Sequence, residues 1–115
     1  MKISYEGIGQ WAATFACSSV REGEPVKLSA NGTVSGCEKG DSFCGMALAV
    51  SRSGDACTVA LGGMATAGYS GTAPAVGWAN LKADGSGGVE ASESGGRSYL
   101  VVDVDSSAKT VTFVL

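Results

Sequence analysis

The chain has 115 residues, one domain's worth, and Gly, Ala and Ser fill 49 of them, which limits the bulky side chains available to a core. Charged residues are only 17% and the net charge is −3, too little for charge-driven disorder and the wrong sign for a phosphate-backbone binder. With no histidine, the commonest general base, proton shuttle and metal ligand is missing at once.

The N-terminal Met1–Gly7 contains no apolar run of the kind that opens a signal peptide, so none is expected. The segment Met1–Gln10 carries Ile3, Tyr5 and Ile8 between polar residues and glycines. That spacing reads either as an arm that adds a strand to a neighbouring chain's sheet edge or as the first strand of the chain's own barrel. Trp11-Ala13-Phe15-Cys17 then alternates as one face of a strand, and Glu22 and Glu24 flank Gly23 in a solvated turn.

Pro25–Ala30 and Thr33-Val34 flank Asn31-Gly32, a two-residue hairpin signal because both residues tolerate positive φ. Phe43–Val50 and Ala56–Leu61 form the next pair, separated by Ser53-Gly54-Asp55. The run near Phe43–Val50 is the longest apolar one and falls far short of the ~20 residues of a spanning helix. Leu61–Thr72 is glycine-rich and reads as an irregular edge strand followed by a loop. Trp78–Ala83 leads through Asp84-Gly85-Ser86-Gly87-Gly88 to Val89, and Arg97–Asp105 with Lys109–Leu115 forms a terminal hairpin around Ser106-Ser107-Ala108.

Apolar residues recur every second position and never at helical spacing. The sequence therefore predicts an all-β fold: a single small barrel or sandwich of about seven to nine mostly antiparallel strands. The expected core is Phe15, Val26, Leu28, Met46, Leu48, Val50, Val59, Leu61, Leu100, Val102, Val104, Val111 and Phe113. A weak repeat sets Leu28 on Leu81, Ala30 on Ala83, Asn31-Gly32 on Asp84-Gly85 and Thr58-Val59 on Thr110-Val111. It suggests two similar halves and a closed wall with few exposed edges.

Cys17, Cys37, Cys44 and Cys57 show no C-x₂-C spacing. With no signal peptide the expected compartment is reducing, so buried free thiols are predicted, Cys17 and Cys57 on inner strand faces. The glycine clusters lack the Gly-Lys-Ser/Thr of a phosphate loop and read as hairpin turns. Asp103 and Asp105 share a strand face, which suits either a cation site or the solvent side of a hairpin. No motif sets a base beside a serine or cysteine nucleophile, so no catalytic, cofactor-binding or metal-binding residue is assigned. Trp11 and Trp78 read as anchors of a core or interface, or as stacking platforms for a sugar or base.

The order of these elements resembles a known family. The short N-terminal segment Met1–Gly7 is followed by Gly23-Glu24-Pro25-Val26, the Asn31-Gly32 turn and Gly40-Asp41-Ser42-Phe43-Cys44-Gly45. A glycine-rich centre, Ala83-Asp84-Gly85-Ser86-Gly87-Gly88-Val89 and the closing hairpin complete the chain. It looks like the small β-barrel head decoration (cement) proteins of tailed phages and prophages. The resemblance implies a non-enzymatic protein, often trimeric, that binds the outside of the assembled capsid with the major capsid protein as partner. It implies a place on the virion head, reached from the bacterial cytoplasm, with no nucleic acid, membrane or cofactor involved. The candidate assembly contacts are Ile3, Tyr5, Ile8, Trp11, Tyr69 and Trp78. The competing expectation is a small carbohydrate- or ligand-binding module with Trp11, Tyr69 or Trp78 lining a groove.

Overall fold

The computed structural model describes residues 9–115, so Ile3, Tyr5, Ile8 and most of the N-terminal segment lie outside the described residues. Among the described residues there is no helix. The strands are β1 (Trp11–Ser18), β2 (Pro25–Ala30), β3 (Thr33–Gly36), β4 (Gly45–Val50), β5 (Ala56–Gly62), β6 (Met64–Ser70), β7 (Gly77–Ala83), β8 (Val89–Ala91), β9 (Arg97–Asp105) and β10 (Thr110–Val114). They close into two barrels of five strands each, β1-β3-β2-β4-β5 and β10-β6-β8-β7-β9. In each barrel the first and third strands run parallel and all other neighbours are antiparallel.

The all-β class and the mostly antiparallel pairing are as the alternation predicts. Among the described residues the strands number ten rather than seven to nine, and the wall closes twice, once per half. The difference arises at Leu61–Thr72, which forms a full strand instead of an edge and a loop. Gly63 makes this possible: it takes φ +87°, and a Cβ there would lie 2.6 Å from the Cα of Gln10. Any other residue at 63 meets both a left-handed backbone and a clash with the incoming chain. The amide of Leu115 donates to the carbonyl of Gly63, 2.8 Å, tying the end of barrel 2 to the same junction.

The repeat is visible in the ladders. Ala47 faces Val59 and Ala49 faces Thr58, so Leu48 is bulged out of β4. Val101 faces Phe113 and Asp103 faces Thr112, so Val102 is bulged out of β9 in the same place. Thr58 faces Thr14 across β1, and Thr112 faces Thr66 across β6. Thr58 therefore corresponds to Thr112, two residues along from the match read in the sequence. Likewise Val26 opposite Gly36 corresponds to Leu81 opposite Ala91, and both are fully buried. Leu28 is instead 60% exposed, because β4 pairs only with Pro25 and Val26 and leaves the end of β2 projecting past the wall. At the Asn31-Gly32 turn only Gly32 has positive φ, +61°. The register slips between Leu28 and Ala30, so the hairpin carries a bulge instead of a mirror-image two-residue turn.

The bulges also correct the core. Met46-Leu48-Val50 and Leu100-Val102-Val104 are not continuous inner faces, since one extra residue switches the side on which the following residues point. Leu48 is exposed, Leu100 and Val102 face outward, and Tyr99 and Val101 fill the interior in their place. Phe15, Val50, Leu61 and Val104 are half-buried at the core margins. Val26, Met46, Val59, Val111 and Phe113 are buried as expected.

Barrel 1 is filled by small side chains: Cys17, Val20, Val26, Val34, Ala47, Cys57 and Val59. Barrel 2 is filled by Leu81, Val89, Val101, Val111, Tyr69, Tyr99 and Phe113, joined by Phe43 and Met46 from barrel 1's half of the chain. All four cysteines are free, with Cys17 and Cys57 buried. Burial, and the neighbouring Cys17 thiol, push the Cys57 thiol up to about 11.

The β3–β4 connection, residues 37–44, latches the barrels together. Gly40 donates to the carbonyl of Ala83 and Ala83 donates back to that of Asp41, both at 2.9 Å. Phe43 stacks on Tyr99 at 5.0 Å between centroids, and Phe113 meets both rings edge-on. The Tyr99 hydroxyl donates to the Phe43 carbonyl, 2.9 Å, inside the cluster. Asp41 accepts from Lys27 Nζ at 2.6 Å and from the Glu38 amide at 2.9 Å, which fixes the loop against β2. Lys39 reaches Glu90 of β8 at 3.1 Å.

Candidate assembly surfaces

Barrel closure uses most strand edges internally, so contacts with another molecule fall to side chains on the outer faces. The large apolar residues exposed there are Trp11, Leu28, Leu48, Val76 and Trp78. Trp11 opens β1 and lays its indole over Gly62, where any Cβ would collide with the ring. Packing on a glycine holds the ring flat against the barrel while leaving it 60% exposed.

Trp78 is the most exposed of the five at 75%, and Val76 beside it is 70% exposed. Trp78 leaves β7 away from the interior, since its neighbour Ala79 packs inward against the core. Trp78 faces Leu100 on β9, Leu100 faces Val114 on β10, and Val114 faces Met64 on β6. Cross-strand partners share a face. The four therefore form an apolar row across the outside of barrel 2, with the bulged Val102 next to Leu100. Leu100, Val114 and Met64 are half-exposed.

Tyr69 is not on a surface. It lies inside barrel 2 at 7% exposure, opposite Val89, so its assignment as an assembly contact is corrected. Its position on β6 alternates with exposed Thr66, Gly68 and Ser70, and the alternation puts Ala67 and Tyr69 inside. Trp11 and Trp78 are outward as an interface requires. Leu100, Val102 and Val114 are surface residues that sequence reasoning placed inside or passed over. The signal that separates them from the core is the bulge at Val102, which leaves no mark in composition.

Of three clefts on the described surface, none is lined by Trp11, Tyr69 or Trp78. One of about 690 Å³ lies between the barrels, with Met46, Leu48 and Ala60 on one side and Met64, Thr66 and Thr112 on the other. A second is polar and bordered by Arg21, Glu24, Cys37 and the Gly85–Gly88 turn. A third, about 490 Å³, is a shallow groove on barrel 1 over Thr14, Ala49, Ser51, Ala56 and Thr58.

The glycine-rich turn in the second cleft is organised by its own carboxylate. Asp84 accepts from Ser70 Oγ at 2.6 Å, the Ser86 amide at 2.7 Å and the Gly88 amide at 3.0 Å. Burial raises the Asp84 carboxyl, and these hydrogen bonds outweigh it, leaving the group below its usual value of 3.8. Asp105 plays the same part in the last hairpin, accepting from the Ser107 and Ala108 amides at 3.0 Å. Asp103 stands exposed on the outer face. Among the described residues no three His, Cys, Asp or Glu side chains group as a metal site.

No family model matches the chain, and no curated protein matches it significantly.

Proposed function

We propose that the chain is a non-enzymatic structural protein that decorates the assembled head of a phage or prophage and stabilises it. The observation that carries this reading is the set of exposed apolar side chains on closed, latched barrels, above all Trp11 and Trp78. Large rings presented on a rigid scaffold give contact area at low entropic cost, the chemistry of a protein-binding surface. The family resemblance of the chain's turn order supports the same reading, and the weakly acidic, histidine-free composition agrees with it.

The mechanism needs no reaction. A protein that binds the assembled lattice and not the free capsid subunit shifts the equilibrium towards the lattice by mass action. Contacts that are weak singly add through avidity when repeated over many sites.

Co-sedimentation with empty heads of the encoding phage tests this. Saturable pelleting with heads, none with unassembled capsid protein, and a higher head-disruption temperature are expected. Absence of pelleting overturns the reading. So does protection of the tryptophans from acrylamide quenching by glycans in place of heads.

A further inference from the structure

The end of β2 projects past the wall of barrel 1, and the Asn31-Gly32 tip of its hairpin with β3 stands exposed. The side-chain amide of an asparagine can be attacked by the backbone nitrogen of the residue that follows it. The attack needs an unengaged nitrogen, room for a succinimide ring, and a group that eases loss of the backbone amide proton. The tip supplies all three.

Among the described residues, the Gly32 N–H has no acceptor and the Asn31 side chain makes no hydrogen bond. Gly32 takes φ +61°, and a Cβ built on it would meet nothing within 4 Å beyond its chain neighbours, so the nitrogen is unshielded. The carbonyl of the same peptide unit is engaged: Thr33 Oγ1 donates to the Asn31 backbone oxygen at 3.0 Å. When the Gly32 nitrogen gives up its proton, negative charge spreads onto that oxygen. A hydroxyl already aimed there stabilises the charge as it develops. On the far side, the Gly32 carbonyl accepts from the Ala16 amide at 3.0 Å, which anchors the tip to β1.

We propose that Asn31 is a site of spontaneous covalent modification, in which the folded hairpin converts the side-chain amide to a carboxylate with Thr33 as the activating group. The Gly32 nitrogen bonds to Asn31 Cγ, the Cγ–Nδ2 bond breaks, and ammonia leaves with the proton that Gly32 gave up. Water then opens the succinimide. Opening at Cγ leaves aspartate. Opening at the main-chain carbonyl leaves isoaspartate, which lengthens the backbone by one carbon at the hairpin tip. Water is the only co-reactant. Either product adds one negative charge to a chain that is already acidic.

The rest of the fold supplies the contrast. Asn80, the other asparagine, lies within β7 opposite Ser98 and is followed by the bulky, fully buried Leu81. Asp84-Gly85 also ends in glycine, but Asp84 is held by three hydrogen bonds. A Cβ at Gly85 would lie 2.9 Å from Lys39, so that turn is walled in.

Incubation of the folded full chain at mildly alkaline pH tests this, with peptide mapping by mass spectrometry and an isoaspartate assay as readouts. Loss of the Asn31 amide is expected while Asn80 stays intact. Thr33→Val keeps a β-branched residue in β3 and removes the hydroxyl. It is expected to slow the loss by about three- to tenfold, the worth of one hydrogen bond in the rate. Thr33→Ser is expected to restore the rate. A loosened hairpin would speed the reaction, so slowing does not arise from poor folding. In concentrated urea, where the hydroxyl is no longer held over the carbonyl, wild type and Thr33→Val are expected to react alike. An intact Asn31 in the folded chain, equal loss at Asn31 and Asn80, or a native rate indifferent to Thr33→Val would each overturn the proposal.

Discussion

Barrel 1 and barrel 2 bulge at the same place, at Leu48 and at Val102, and pair a threonine with a threonine at the same rung, but they solve the packing problem in opposite ways. Barrel 1 closes around valines, an alanine and two thiols. Barrel 2 closes around two tyrosines and a phenylalanine, and takes a further ring, Phe43, from the other half of the chain. A backbone course this short tolerates either filling. The aromatic one buries far more apolar area and so carries more of the stability. The two halves thus share a ladder while their interiors differ.

The largest expected effect breaks the aromatic side. Phe113→Ala is expected to cost about 3–5 kcal/mol in urea unfolding, against a clearly smaller loss for Val59→Ala in barrel 1. Equal losses would mean that the two cores are equivalent, and the asymmetry would fail. Next comes the latch. Tyr99→Phe removes the donor to the Phe43 carbonyl and leaves that buried oxygen unpaired, an expected loss of about 1–3 kcal/mol. A neutral result would show that this hydrogen bond adds nothing to the latch.

Acid sharpens the comparison at the turns. Asp84 sits below 3.8 in the folded chain because three hydrogen bonds to its charged form outweigh burial. Asp41 is lowered chiefly by the Lys27 hydrogen bond, then by the Glu38 amide. A carboxyl depressed on folding contributes stability that is fully present above its unfolded pKa and is lost as pH falls through its folded one. Melting temperature is therefore expected to hold from pH 7 to about 5 and to fall below about 4. Asp84→Asn should be less stable at pH 7 by about 1–3 kcal/mol and shallower in its acid decline. A parallel acid decline in the variant would show that Asp84 is not the titrating contact. The smallest effect belongs to barrel 1's thiols. Cys57→Val keeps an apolar side chain of similar size and is expected to change stability by less than about 1.5 kcal/mol. In the native chain Cys57 should react with a thiol reagent far more slowly than after unfolding, since burial pushes it to about 11.

Much of this fold was legible in the sequence. Period-two alternation identified the strands, Asn31-Gly32 and Ser106–Ala108 marked hairpins, and the repeat foretold two halves. Exact register was not legible. One-residue bulges at Leu48 and Val102 reverse the side on which neighbours point, and nothing in a local apolar pattern records them. That is why Leu100 and Val102 read as core and Tyr99 and Val101 did not. The second closure was hidden for a related reason: Met64–Ser70 is too small in side chains to advertise a strand, and its interior is completed by Phe43 from a loop far away in the chain. Of the candidate contacts, Trp11 and Trp78 stand exposed on outer faces. Tyr69 was misplaced because a lone aromatic in a glycine-rich stretch gives no parity.

Native-state hydrogen exchange at low urea tests the inequality of the barrels most directly, because it ranks local stability strand by strand. The amides of Val101, Val111 and Phe113 should be the slowest. Those of the latch, Gly40 and Ala83, should open together with them rather than with β1 and β5. Slowest exchange around Val59 in barrel 1, or latch amides that exchange with the surface loops, would contradict the account.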